Sequence, residues 1–101
     1  MFTLQISYPV RDYEAFKTVF DTDPAGRAAS GARSVRVFRD TEDQNNVAVH
    51  LDFDTQVAAS SFLEKLRSQV WDKPEVIGQL MTAAPAARIL EEVAREGQGA
   101  G

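Results

Sequence analysis

The chain has 101 residues, enough for one domain with one hydrophobic core and too few for a second, and a formal net charge of −4. The absence of cysteine excludes thiol catalysis, thiolate metal sites and disulfides, and fits a reducing compartment. Acids and bases are mixed along the chain, without the basic stripe of a nucleic-acid binder.

The amino-terminal MFTLQISYPV has no basic segment ahead of a longer apolar run, and no stretch approaches the ~20 apolar residues of a membrane span. The expected setting is therefore soluble and cytoplasmic, with neither a membrane nor nucleic acid as partner. Phe2, Leu4, Ile6 and Tyr8 then alternate with Thr3, Gln5 and Ser7, the pattern of a half-buried strand that Pro9 is expected to end. Asp12 suits the N-cap of a helix carrying Tyr13, Phe16, Val19 and Phe20 on one stripe. Asp23-Pro24 interrupts it, and a short helical piece is expected to restart before Ser30-Gly31, with the glycine as its C-cap.

A second strand over 34–39 places Val35 and Val37 on one face and Ser34, Arg36 and Phe38 on the other; polar residues 40–46 make a turn. The third strand, 47–54, is the clearest: Val47, Val49, Leu51 and Phe53 face one way, Ala48, His50 and Asp52 the other. Asp54 or Thr55 can cap a second long helix with Ala59, Phe62, Leu63, Leu66 and Val70 at helical spacing. Residues 71–81 read as a loop and a short helix with Pro74 in its first turn. Pro85 precedes a fourth strand, 86–93, whose weak alternation leaves its facing open, and the closing GQGAG reads as disordered. One domain over 1–95 and a disordered tail over 96–101 are expected.

Strand, helix, strand, strand, helix, strand is the ferredoxin-like α+β order, a four-stranded antiparallel sheet with two helices on one face and expected strand order 4-1-3-2. Leu4, Ile6, Val35, Val37, Val49 and Leu51 would meet the helices, leaving Gln5, Ser7, Arg36, Phe38, Ala48, His50 and Asp52 on the opposite face. That face is neither plainly apolar nor plainly charged. A sheet bare on one side is commonly covered by another chain, so a homodimer joined through this face is expected. Its covered surface would wall a small cavity with a few polar groups in apolar surroundings, the make-up of a ligand site.

The element order, together with the stretch DPAGRAASGARSVRVFRD, the following NNVAVHLDFD and a helix ending in RSQVW, resembles the dimeric α/β-barrel superfamily from Phe2 to Val93. Its members include antibiotic-biosynthesis-type monooxygenases, haem-degrading oxygenases, polyketide cyclases and small uncharacterised actinobacterial proteins. The resemblance implies a dimeric barrel and, for activity, cofactor-independent oxygenation or cyclisation of an aromatic or polyketide-like compound. The oxygenase branches use a cavity Asn, Trp, His or Arg, types that His50, Arg36 and Trp71 offer here, while Asn45 and Asn46 fall in the predicted hairpin turn. The single histidine lies mid-strand rather than on a helix, which speaks against a proximal haem ligand, and no cofactor or metal is expected.

His50 is the first candidate for acid or base work, with a hydrogen-bonded interface histidine as the structural alternative. A hairpin turning about Asp43 sets it opposite Arg36, with Asp52 one pleat away. Arg36 could hold a substrate oxygen in its fork of donors or merely pair with Asp52 or a partner's acid. Gln5, Ser7 and Asp52 are candidate substrate-binding groups on the same face, and Trp71 a candidate apolar wall, each with interface or core packing as the alternative. Arg27, beside Gly26, either gates a cavity mouth or is a solvated surface charge. No G-x-G-x-x-G, G-x-x-x-x-G-K-[ST], H-E-x-x-H or EF-hand loop is present, and Ser34, His50 and Asp52 lack a nucleophile elbow. Three functions follow as expectations: a small-molecule enzyme with Arg36 and His50 as catalytic groups, a non-catalytic ligand-binding or dimeric accessory protein, or a structural scaffold for another protein.

Overall fold

The computed structural model describes residues 1–97. Strand β1 (Phe2–Pro9) leads into helix α1 (Tyr13–Asp21), β2 (Ser34–Arg39) and β3 (Asn46–Phe53). Helix α2 (Gln56–Lys65) runs on through a π-helical turn (Leu66–Val70), and α3 (Pro74–Leu80) precedes β4 (Ala86–Glu91). The sheet is antiparallel throughout, in the order β2-β3-β1-β4. This is the expected ferredoxin-like arrangement.

Local chemistry explains the boundaries. Asp12 accepts a hydrogen bond from the Ala15 N–H at 2.9 Å, and Thr55 accepts one from the Ala58 N–H at 3.1 Å, so both long helices start on capped donors. Thr55, not Asp54, is therefore the second cap; Asp54 instead pairs with Arg33 at 2.7 Å. Pro74 opens α3, where its missing N–H costs no helical bond.

Three expectations need correction. Pro9 does not end β1: it pairs with Asn46, and Val10 continues as a bridge to Met81. Its carbonyl accepts from Thr82 on the β4 side, beyond the last β1–β4 pair, so the missing N–H faces a part of the ladder that has no strand opposite. The helical restart before Gly31 is instead a run of turns, because Asp23 (φ 53) and Gly26 (φ 69) take the left-handed conformation and interrupt the helical bonding. The fourth strand stops at Glu91 rather than Val93. The tail expected over 96–101 lies, from residue 98 onward, outside the described residues.

The core sits between the sheet and the helices. Leu4, Ile6, Val47, Val49, Leu51 and Phe53 are at most 1% exposed and pack with Phe16, Ala59, Phe62 and Leu66. Phe53 and Phe62 meet with ring centroids 5.7 Å apart, joining β3 to α2. On β4, Ala87 and Ile89 pack against this core, which fixes the facing that the sequence leaves open: Ala86, Arg88 and Leu90 point to the other side. No helix among the described residues is long and apolar enough to cross a membrane.

Candidate functional site

The helix-free face of the sheet is a grid of three rows, each drawing one residue from β4, β1, β3 and β2. The first row is Leu90, Thr3, Asp52 and Ser34; the second is Arg88, Gln5, His50 and Arg36; the third is Ala86, Ser7, Ala48 and Phe38. The predicted register holds, with Arg36 directly opposite His50. Five of the six candidate residues, Gln5, Ser7, Arg36, His50 and Asp52, therefore share one surface.

In the first row Asp52 accepts hydrogen bonds from the Thr3 and Ser34 hydroxyls, each at 2.6 Å. Partial burial pushes its carboxyl up, but the Ser34 and Thr3 hydroxyls and the charges of Arg36 and Arg95 outweigh that and hold it below the usual carboxylate range. In the second row Arg88 donates to the Gln5 carbonyl oxygen at 2.8 Å, which leaves the Gln5 amide NH₂ to donate to His50 Nε2 at 3.1 Å. His50 thus accepts at Nε2 and carries its proton on Nδ1. The His50 ring lies 4.9 Å from that of Phe38, and the Arg36 guanidinium sits 5.4 Å from the Phe38 ring centre. Ser7 borders a shallow depression with Gln5, Ala86 and Arg88. The polar groups of the first two rows largely satisfy one another.

Trp71 is not among them. It follows the π-helical turn, its backbone N–H donating to the Leu66 carbonyl at 2.7 Å, and lies on the helix side of the sheet. There it lines a half-open cavity of about 60 Å³ with Ile6, Tyr8, Phe20, Arg27 and Met81. The structure does not bring Trp71 into one cavity with His50 or Arg36: the sheet separates them.

This second cavity is apolar apart from a few heads. The indole Nε1–H of Trp71 is buried without a hydrogen-bond partner. Its ring stands edge-on to Tyr8, centroids 6.0 Å apart. Tyr8 is 6% exposed, and its hydroxyl makes no hydrogen bond among the described residues. Burial pushes the phenol well above its ordinary range, against the weaker opposing pull of the Trp71 indole N–H and the Arg27 charge. The indole is thus close enough to favour a Tyr8 anion while falling short of hydrogen-bond geometry.

Arg27 covers the Phe20 ring at 3.9 Å and donates to the Phe20 carbonyl at 3.0 Å. Asp23, the carboxylate of the lining, is occupied: it accepts from the Arg27 backbone N–H at 2.8 Å and faces the Arg27 guanidinium at 3.6 Å. Lys65 reaches from α2 to the Ala25 carbonyl at 3.1 Å and the Ser30 hydroxyl at 2.7 Å, fastening the turns that wall the cavity. Sequence reasoning overlooked Tyr8 as a functional group. Its signal was present: a polar head on the same parity as Leu4 and Ile6 must point into the core. Among the described residues no three His, Cys, Asp or Glu side chains gather as a metal site.

No protein-family model matches the chain, and no curated protein matches it in sequence. Solved structures do match it in shape. A candidate antibiotic biosynthesis monooxygenase from Nitrosomonas europaea aligns over 95% of this chain and 93% of its own, with TM-score 0.70 and 13% identity. An uncharacterised NIPSNAP domain protein from Burkholderia xenovorans aligns over 97% of this chain and 100% of its own, with TM-score 0.64 and 15% identity. Rv0793 from Mycobacterium tuberculosis aligns over 94% and 98%, with TM-score 0.62 and 15% identity. At such identities the likeness is one of fold: this chain has the ferredoxin-like fold seen in antibiotic biosynthesis monooxygenase-like proteins.

Proposed function

We propose that this protein binds a small aromatic or polyketide-like molecule in the helix-side cavity and works as a homodimer joined through the open sheet faces. Its activity in this reading is cofactor-independent oxygenation or cyclisation, in line with the names of the structural neighbours. One observation carries it: an apolar, half-open cavity lined by Trp71, whose buried indole N–H has no acceptor, and by Tyr8, whose phenol makes no hydrogen bond among the described residues. Buried polar groups without partners are uncommon in finished cores, and ligand pockets place a few of them in apolar walls.

Such donors suit the oxygen of an enolate or phenolate, whose charge they stabilise as it develops. Oxygenation without a cofactor balances when the substrate supplies the electrons: a ring CH₂ becomes C=O, one atom of O₂ enters, and the other leaves as water. The open-face grid serves the dimer here. Phe38 and Leu90, 41% and 40% exposed, flank its polar rows and offer apolar contact to a second copy.

A second reading, a non-catalytic dimeric ligand-binding protein, draws on a specific observation: the only histidine faces away from the cavity and is held by Gln5. Oxygen uptake with an electron-rich single-ring phenol such as resorcinol, whose keto form carries the ring CH₂, separates the two. The enzymatic reading expects consumption above the buffer rate that falls at least tenfold in Trp71→Phe; uptake at the buffer rate with ligand still bound selects the binding protein.

A further inference from the structure

The polar lining of the helix-side cavity is weighted towards hydrogen-bond donors. Trp71 presents an indole N–H, a group that can only donate, and it has no acceptor. Tyr8 adds a hydroxyl that burial keeps protonated, able to donate as well as to accept. Arg27 uses one guanidinium nitrogen on the Phe20 carbonyl and leaves further N–H groups available. The one carboxylate in the lining, Asp23, is already engaged by the Arg27 backbone N–H and faces its guanidinium.

The size is restrictive as well. About 60 Å³ is well below the ~150 Å³ closed cavity that holds benzene, so one ring fills it and part of that ring stays in the open mouth. Resting on the proposed cavity function, we infer that this site selects single-ring molecules by an acceptor oxygen, whether a neutral carbonyl or an anionic carboxylate or phenolate, and rejects amines of the same size. An ammonium would meet the Arg27 charge as a like charge, and the side-chain oxygens left to accept its protons are the Tyr8 hydroxyl and an Asp23 carboxylate already paired with Arg27. An oxygen acceptor relieves the unpaired indole and phenol together.

The chain carries a single tryptophan, so emission from Trp71 reports on this cavity directly. The test titrates wild-type protein with acetophenone, benzoate, toluene and benzylamine, following Trp71 emission and isothermal calorimetry together. At least one of acetophenone and benzoate is expected to bind tenfold or more tighter than toluene, with benzylamine weakest. Benzoate alone would assign the contact to the Arg27 charge, and equal binding of acetophenone would assign it to neutral hydrogen bonds. Tyr8→Phe, which keeps the ring and hence the packing, should shrink the margin over toluene severalfold while leaving toluene binding unchanged.

Toluene binding as tightly as the oxygen ligands, or benzylamine binding best, overturns the selectivity and leaves the cavity standing as a binding site. If none of the four perturbs Trp71, the cavity reading falls and the selectivity with it.

Discussion

The two faces of this sheet are built from alternate residues of the same four strands, yet they solve opposite problems. The helix side buries Leu4, Ile6, Val49, Leu51 and Phe53 almost completely and then leaves a cavity with donors unpaired. The open side leaves its residues half-buried or exposed and pairs their polar groups with one another, as Arg88 to Gln5 to His50 and as Thr3 and Ser34 to Asp52. Chemically conspicuous residues thus cluster where hydrogen bonding is nearly complete, and incomplete hydrogen bonding occurs where the sequence reads as core. A catalytic residue type is a weaker guide to a site than an unsatisfied group in a concave, dry place.

The sharpest way to break this comparison is to remove one aromatic ring from each face. Phe53→Ala, at a fully buried position against Phe62, should cost about 3–5 kcal/mol in a urea melt. Phe38→Ala, on the open face, should cost under about 1 kcal/mol at concentrations that keep the chain monomeric. Equal losses would mean that the open face is part of the monomer's core.

The same parity decides how much of the molecule is legible in its sequence. Strand alternation assigns Gln5, Arg36, His50 and Asp52 to one face, and a turn centred on Asp43 sets Arg36 opposite His50, as observed. The fourth strand has no such pattern, because Ala86 and Ala87 fit either face, and only packing against the core decides it. Trp71 is out of reach for another reason. The π-helical turn inserts a residue into the helical count, rotating the residues after it by about 100° relative to an α-helix, so 3.6-residue spacing cannot aim the indole. The cavity's remaining wall comes from turns fixed by left-handed Asp23 and by Lys65 from a distant helix, long-range contacts with no local signature.

Next in size is the proposed dimer contact. Phe38→Asp places a charge at the edge of the open face and should weaken self-association at least tenfold, about 1.4 kcal/mol, by sedimentation velocity. Cavity ligands should bind this variant as they bind wild type, since the sheet lies between. Loss of both together would show that the two faces act as one site.

Asp52→Asn tests the pairing of the polar rows. The amide accepts from one hydroxyl and donates to the other, replacing two charge-assisted bonds with neutral ones, so a loss of about 1 kcal/mol is expected at neutral pH. The folded carboxyl titrates below its ordinary 3.8, so the folded state holds fewer protons than the unfolded state in that window. The stability it adds is complete above the unfolded value and is lost as the pH falls through the folded one. Thermal melts of the two proteins should therefore converge as the pH drops below about 3.8, and a constant gap would remove ionisation from the account.

The smallest effect at neutral pH belongs to Tyr8→Phe and carries the most information about the cavity. An unpartnered hydroxyl adds little to stability, so the variant should lie within about 0.5 kcal/mol of wild type at pH 7. The phenol is held above its ordinary 10.0, so between that value and the folded one the folded state keeps a proton that the unfolded state has shed. Wild type should accordingly lose stability as the pH rises past about 10, while Tyr8→Phe loses less and becomes the more stable protein. A cavity ligand with an acceptor oxygen should deepen that alkaline loss in wild type, because it binds the protonated phenol. Parallel alkaline curves for the two proteins would mean that the Tyr8 hydroxyl already reaches solvent, and the contrast between the faces would then rest on Trp71 alone.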